Sequence, residues 1–223
     1  MTTGTKHTLT AFDDDMDEIR GMIAEMGARA EKAVINAMNA LTKNDKTLAL
    51  TTRAEDKMID HLETEVEKLV VRTIALRAPM ADDLRELVAA LKMAAVIERI
   101  GDYAKNIAKR VGQLESTKFI ASNDQLRRMG DIVIEMIRTA LEAYAKHDID
   151  LAKAVTVRDD DVDQIYKDLF VDFVAFVAKN PTFATEIAHL LFISKNLERI
   201  GDHSTNVAQM IYFTETGENL PDA

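Results

Sequence analysis

Apolar residues recur every three or four positions along almost the whole chain, and no strand-like alternation competes with them. From about Met16 to Leu41 that spacing predicts a first helix. Asn44-Asp45 offers an N-cap for a second, in which Ile59, Leu62, Val66 and Leu69 form a seam with alternating steps of three and four. Arg77-Ala78-Pro79 ends it, because proline supplies no amide hydrogen and crowds the preceding turn. A third helix is predicted from about Met80 to Leu114. The series then begins again: Ser122 or Asn123 as cap, a break near His147-Asp148, another at Asn180-Pro181 and an end near Thr216-Gly217.

The second series is a copy of the first. Glu98-Arg99-Ile100-Gly101-Asp102 recurs as Glu198-Arg199-Ile200-Gly201-Asp202, and with Asn106/Asn206 and Ala108/Ala208 seven of eleven positions are identical. Lys43 to Ala49 resembles Lys146 to Ala152 at an offset of 103 instead of 100, so three residues are lost between the two landmarks. The fold class expected is all-α, two tandem three-helix bundles related by an internal repeat, over residues 12–116 and 121–218.

The third helix carries the candidate chemistry. At about 100° per residue, Leu84, Leu87, Val88, Leu91, Ala94 and Ala95 share one stripe, and the next members of that stripe are Glu98, Asp102 and Asn106. Met93, Val96, Ile100, Ile107 and Val111 lie opposite. The helix is therefore expected to bury first one face and then the other, leaving the vacated face acidic. The last helix repeats the change: Ala184, Ile187, Ala188 and Leu191 give way to Glu198, Asp202 and Asn206.

Two carboxylates one turn apart repel by a few tenths of a kcal/mol, about 0.2–0.5 in an isolated helix. The second helices add Asp56 with Asp60 and Asp159 with Asp163. The acidic stripe extends to Glu63 and Glu67 in the first copy, where the second has Tyr166 and Phe170. If second and third helices are neighbours, four carboxylates converge in each half, and all-oxygen sets suit hard or borderline cations. Solvated salt bridges are the competing reading, since Arg99 and Lys105 lie three residues from Asp102 and Lys195 three from Glu198. Gly101 and Gly201 each cost about 1 kcal/mol relative to Ala inside a helix, which close approach of a neighbouring helix or ligand, or simple packing, would offset.

Other motifs carry less. Glu186 and His189 make one Glu-x-x-His, but the first copy holds Glu86 and Ala89. His61 and His203 point about 100° away from the neighbouring aspartates and are expected on the surface.

Composition narrows the class. Eight Gly and three Pro in 223 residues leave little room for a loop-rich scaffold, and 47% hydrophobic residues exclude wholesale disorder. The net charge of −10 argues against nucleic acid as the main partner. With no Cys there is no disulfide, zinc–thiolate site or thiol nucleophile. Met1 to Ala11 lacks a leader pattern, and the least polar stretches, 173–178 and 187–194, are too short to span a bilayer. A soluble cytoplasmic protein with no direct membrane insertion is expected.

The duplicated Glu-Arg-Ile-Gly-Asp motif, the two three-helix units and the Asp-x-x-x-Asp pairs resemble the PhoU family of phosphate transport accessory proteins over about residues 12–216. The resemblance implies two bundles related by a pseudo-twofold, a homodimer, and metal (iron, Mn, Mg or Zn) at the motif carboxylates. Carried over, these are Asp56, Asp60, Glu98 and Asp102 in the first half and Asp159, Asp163, Glu198 and Asp202 in the second. It further implies a regulator, not an enzyme, with no catalytic residue. Such a regulator works at the inner face of the plasma membrane, linking the ATPase subunit of a phosphate-specific ABC transporter to a sensor histidine kinase. It restrains phosphate uptake and the phosphate-starvation response. A carboxylate-bridged metalloenzyme and a purely structural helical scaffold are the alternative classes.

Overall fold

The computed structural model of the protein describes residues 3–115 and 124–221, with the backbone alone for residues 3–10. The first half comprises α1 (Thr3–Lys43), α2 (Lys46–Glu55), α3 (Lys57–Arg77) and α4 (Asp82–Val111). The second comprises α5 (Asp124–Lys146), α6 (Ile149–Lys179), a 3-10 turn (Pro181–Phe183) and α7 (Ala184–Thr216). There is no strand among the described residues. The cap expected at Ser122 or Asn123 lies outside the described residues.

The corners repeat as the helices do. α1 ends on Asn44 at φ 52°, after which the Asp45 carboxylate accepts from the Leu48 N–H at 2.9 Å. α5 ends on His147 at φ 54°, after which Asp148 accepts from the N–H groups of Asp150 and Leu151. Left-handed closure followed by an Asx cap satisfies both helix ends and turns the chain back.

Burial on α4 follows Leu87, Ala90, Ala94, Ile97, Gly101, Ala104, Ala108 and Val111. On α7 it follows Ile187, Leu190, Ser194, Leu197, Gly201, Ser204, Ala208 and Ile211, the same positions one hundred residues later. Each is one unbroken seam of threes and fours. The change of face expected for the third helices therefore does not occur: Leu84 and Val88 are 37% and 36% exposed, Leu91 is half-buried, and Ala95, Ala184 and Ala188 are exposed. Periodicity identified a stripe correctly, but Met93, Ile97 and Ile100 meet the bundle interior and claim that face throughout.

Two other expectations shift. α1 starts at Thr3, well before Met16, with Phe12 packed against the core and Asp15 paired to Arg72 and Arg77 of α3 at 3.2 Å. The second helix of the first half is interrupted at Asp56, whereas α6 runs through the equivalent Asp159 without a break.

The halves pack through equivalent elements running antiparallel. Gly27 of α1 receives Leu141 of α5, and Gly130 of α5 receives Met38 of α1. These are equivalent pairs at the offset of 103, so the knob and hole are reciprocal. Between α4 and α7, the Arg85 guanidinium donates to the Thr214 carbonyl at 3.1 Å and the Arg110 guanidinium lies 4.3 Å from the centroid of Phe192. Tyr103 stacks on its own equivalent, His203, with ring centroids 5.3 Å apart, which marks an approximate twofold axis between the repeats. His203 is accordingly half-buried in the seam between the halves and not the surface residue expected, while His61 is exposed.

Candidate functional site: two acidic clusters

Each cluster sits where the second helix of a half crosses the third. In the first half, Asp56 at the α2–α3 interruption is only 5% exposed, Asp60 follows one turn on, and α4 presents Glu98 and Asp102. The Lys105 ammonium bridges the helices: its Nζ donates to Asp56 Oδ2 at 2.5 Å and to Asp102 Oδ1 at 2.9 Å. Arg99 stands 3.6 Å from both Glu98 and Asp102. Burial, then the Asp102 charge, pushes Glu98 up to about 7. Burial also raises Asp56 in spite of Lys105, and raises Glu63 beside Glu67. The hydrogen bonds to Asp102 and Asp56 raise Lys105, keeping it charged.

In the second half, Asp159 and Asp163 on α6 face Glu198 and Asp202 on α7. Burial, then Asp202, Asp163 and Glu198, pushes Asp159 up to about 6, and burial with Glu198 and Asp163 raises Asp202. Those mutual influences are what convergence of the four carboxylates entails. Thr205 stands where the first half has Lys105, and its Oγ1 is buried without a hydrogen-bond partner. Lys195 donates to Glu198 Oε1 at 2.5 Å and lies over the Tyr166 ring, while Glu198 Oε2 is buried and unpartnered. Lys167 stands 3.7 Å from Asp163. Among the described residues the Asp159 and Asp202 carboxylates take part in no ion pair.

The motif glycines explain the closeness of the helices. A Cβ on Gly201 would lie 2.8 Å from Asp159 Oδ1, so only glycine lets that carboxylate rest against the α7 backbone. At Gly101 the same atom would lie 2.8 Å from Ile59 Cδ1 and 3.5 Å from Asp56 Oδ1.

All eight carboxylates named from the sequence therefore fall into two clusters, four per half. As the side chains lie, no group of three or more His, Asp or Glu among the described residues has the spacing to hold a metal ion. The salt-bridge reading also has its geometry, through Lys105, Lys195 and Arg99. The two halves place their ammonium groups differently. In the second, one Glu198 oxygen is buried without a partner and Gly201 admits Asp159, while the Lys195 ammonium holds the other Glu198 oxygen. In the first, an ammonium lies between Asp56 and Asp102. The bridge from Lys105 to Asp56 was not readable from the sequence, where only the i, i+3 relation to Asp102 showed. Elsewhere, His189 Nδ1 faces Arg110 at 3.4 Å, which gives its Glu-x-x-His pairing with Glu186 no support as a ligand set.

The clusters occur in a chain whose likeness to known proteins is extensive. The family model described as the PhoU domain matches residues 23–111 and 126–211, once per repeat. A phosphate-specific transport system accessory protein PhoU homolog of Zymomonas mobilis is 44% identical over 216 residues, covering 97% of this chain and 91% of the relative. A PhoU homolog of the same description from Caulobacter vibrioides is 40% identical over 217 residues, 97% of this chain and 94% of the relative. Among solved structures, PhoU from Pseudomonas aeruginosa superposes with a TM-score of 0.88 at 32% identity, covering 93% of this chain and all of that one. The phosphate transport system regulatory protein PhoU from Streptococcus pneumoniae gives a TM-score of 0.87 at 27% identity, with 94% and 99% covered.

Proposed function

The chain belongs to the PhoU family, and from that membership we propose that it is an accessory regulator of a phosphate-specific transport system. In this reading it links the ATPase subunit of the transporter to a sensor histidine kinase and restrains both uptake and the starvation response when phosphate is plentiful. The observation that carries the reading is the likeness of both repeats, end to end, to relatives described as accessory proteins of that system. No described helix is long and apolar enough to cross a membrane. Attachment to the inner membrane face through protein partners belongs to the same reading. Catalysis has no part in the reading. Two reciprocal bundles offer long helical faces on opposite flanks of one body, suited to holding two partners at once; homodimer formation would multiply those faces.

The second-half cluster adds an ion site to this proposal. Asp159, Asp163, Glu198 and Asp202 would hold a hard cation such as Mn²⁺, Mg²⁺ or iron, with Zn²⁺ a weaker match to an all-oxygen set. Such an ion supplies positive charge to an otherwise acidic face. The protein's part is to hold the four carboxylates against each other's repulsion, with Gly201 admitting Asp159 to the α7 backbone.

The test is genetic and biochemical. Deleting the gene is expected to switch on a phosphate-starvation reporter in phosphate-rich medium, with restoration by the intact gene. Immobilised protein is expected to retain the transporter ATPase subunit from detergent-solubilised membranes. A reporter that stays silent in the deletion strain would overturn the regulatory reading.

A further inference from the structure

Where α2 begins and α4 ends, the two helices leave a groove of about 300 Å³, floored by Ala49, Ala108 and Gly112 and rimmed by Lys46, Arg53 and Lys109. No carboxylate lines it. The acids nearest on these helices are engaged elsewhere: Asp45 accepts from the Leu48 N–H, Glu55 lies 3.8 Å from Lys32, and Asp56 and Asp102 are held by Lys105. Among the described residues Lys46, Arg53 and Lys109 take part in no ion pair. In a chain of net charge −10, three unpaired cations around one groove are a local reversal of sign. The terminal dipoles of α2 and α4 oppose each other at this corner, so the positive field is that of the three side chains.

The second repeat does not carry this chemistry. Ile149, Thr156 and Gln209 stand at the positions of Lys46, Arg53 and Lys109, and Tyr212 stands at that of Gly112. The lysine that is present, Lys153, lies 5.7 Å from the Tyr212 ring centroid and 3.5 Å from Asp150. Gly112 has ordinary right-handed helical geometry at φ −59°, and a Cβ there would meet nothing nearer than the Lys109 carbonyl oxygen at 3.5 Å. Neither backbone nor packing calls for glycine; its effect is to leave the groove unfilled.

We propose that this groove binds a small anion carrying two or more phosphoryl groups, either an inorganic oligophosphate or a nucleoside polyphosphate. Lys46 and Arg53 lie two turns apart on α2, about 10 Å, a span that a short phosphate chain bridges and a docked helix would overrun. The Arg53 fork and two ammonium groups suit phosphoryl oxygens through charge-assisted hydrogen bonds. The alanine floor offers no side-chain donor, so recognition rests on charge and the affinity should rise with the number of phosphoryl groups. The groove shares no residue with the acidic clusters and stands or falls apart from them.

The full-length, metal-free protein is titrated by calorimetry in magnesium-free, low-salt buffer with tripolyphosphate, ATP and inorganic phosphate. The first two arms tell an inorganic chain from one carried by a nucleoside. Wild type is expected to bind tripolyphosphate or ATP at one equivalent, at least tenfold more tightly than inorganic phosphate. Arg53→Gln with Lys109→Gln should weaken that binding at least tenfold. Gly112→Tyr, which installs the second repeat's residue and fills the groove, should weaken it at least fivefold. Lys153→Gln, at the matching place in the other repeat, should leave it unchanged. Residues 53, 109, 112 and 153 are all exposed, so the variants are expected to melt with wild type. Absence of binding to wild type would overturn the proposal. So would binding that survives both groove changes, or that Lys153→Gln weakens as much as they do. A poly-glutamate peptide retained where no oligophosphate is would overturn it too, and assign the groove to an acidic protein segment.

Discussion

Asp56 and Asp102 share the Lys105 ammonium, whereas Asp159 and Asp202, their equivalents one repeat later, converge with a threonine where the lysine stood. The flanking architecture is common to both: matched caps at Asp45 and Asp148, matched seams on α4 and α7, matched glycines at 101 and 201. Packing therefore constrains the third-helix backbone of the two clusters alike, while the second helix breaks at Asp56 and not at Asp159 and the charged side chains around the clusters differ. The first half bridges its two helices with Lys105; the second pairs Lys195 with Glu198 and Lys167 with Asp163, and leaves Asp159 and Asp202 outside any ion pair.

Four measurements would break or sharpen that contrast. The largest effect is expected from removing the two carboxylates that take part in no ion pair: Asp159→Asn with Asp202→Asn should lower metal uptake at the proposed ion site at least tenfold, as elemental analysis of protein equilibrated with Mn²⁺ would show.

Next is Lys105→Met, which strands a buried Asp56 carboxylate. A loss of about 1–3 kcal/mol in urea unfolding is expected, the usual cost of leaving a buried charged acceptor unsatisfied.

A pH comparison comes third. The Asp159 carboxyl, ordinarily near 3.8, is pushed up to about 6, so the folded state binds its proton more tightly than the unfolded chain. Stability is then lost as pH rises from about 4 to about 6, and the penalty is complete above that. Metal-free Asp159→Asn should melt higher than wild type at pH 7.5, and the gap should close near pH 4. A gap that widens on acidification would mean Asp159 has a stabilising partner.

The smallest effect separates the glycines. Gly101→Ala meets the end of the Ile59 side chain, and the helix-propensity gain of about 1 kcal/mol offsets the crowding, giving little net change in unfolding. Gly201→Ala meets the Asp159 carboxylate and should weaken Mn²⁺ binding severalfold, read by calorimetry.

Much of this was legible in the chain. The offset of 103 over the first two helices and 100 over the third placed the three lost residues between Asp56/Asp159 and Leu87/Ile187, where the turn after α3 and the 3-10 turn before α7 differ. The eight acidic positions, the Asp45 cap and the Pro79 and Pro181 breaks are local signals, and local signals survive folding. What failed depended on partners far along the chain. A stripe of Leu84, Val88 and Leu91 is apolar, but only the neighbouring helices decide which face is covered, and they cover that of Met93 and Ile97. The start of α1 is held by Phe12 packing and by Asp15 meeting α3. His203 looked like a surface residue until its equivalent, Tyr103, arrived from the other repeat. The bridge from Lys105 to Asp56 joins residues 49 apart and needs the register of two helices.

The reciprocal insertion of Leu141 at Gly27 and Met38 at Gly130 gives the seam between the halves the self-complementary form of a symmetric dimer contact, built within one polypeptide. In a true dimer of identical chains, any substitution appears on both sides of the axis at once. Joining the copies by a peptide link removes that obligation. Each lobe can then acquire its own surface chemistry while the shared seam keeps them aligned, which is the freedom that a lysine on one side and a threonine on the other has used.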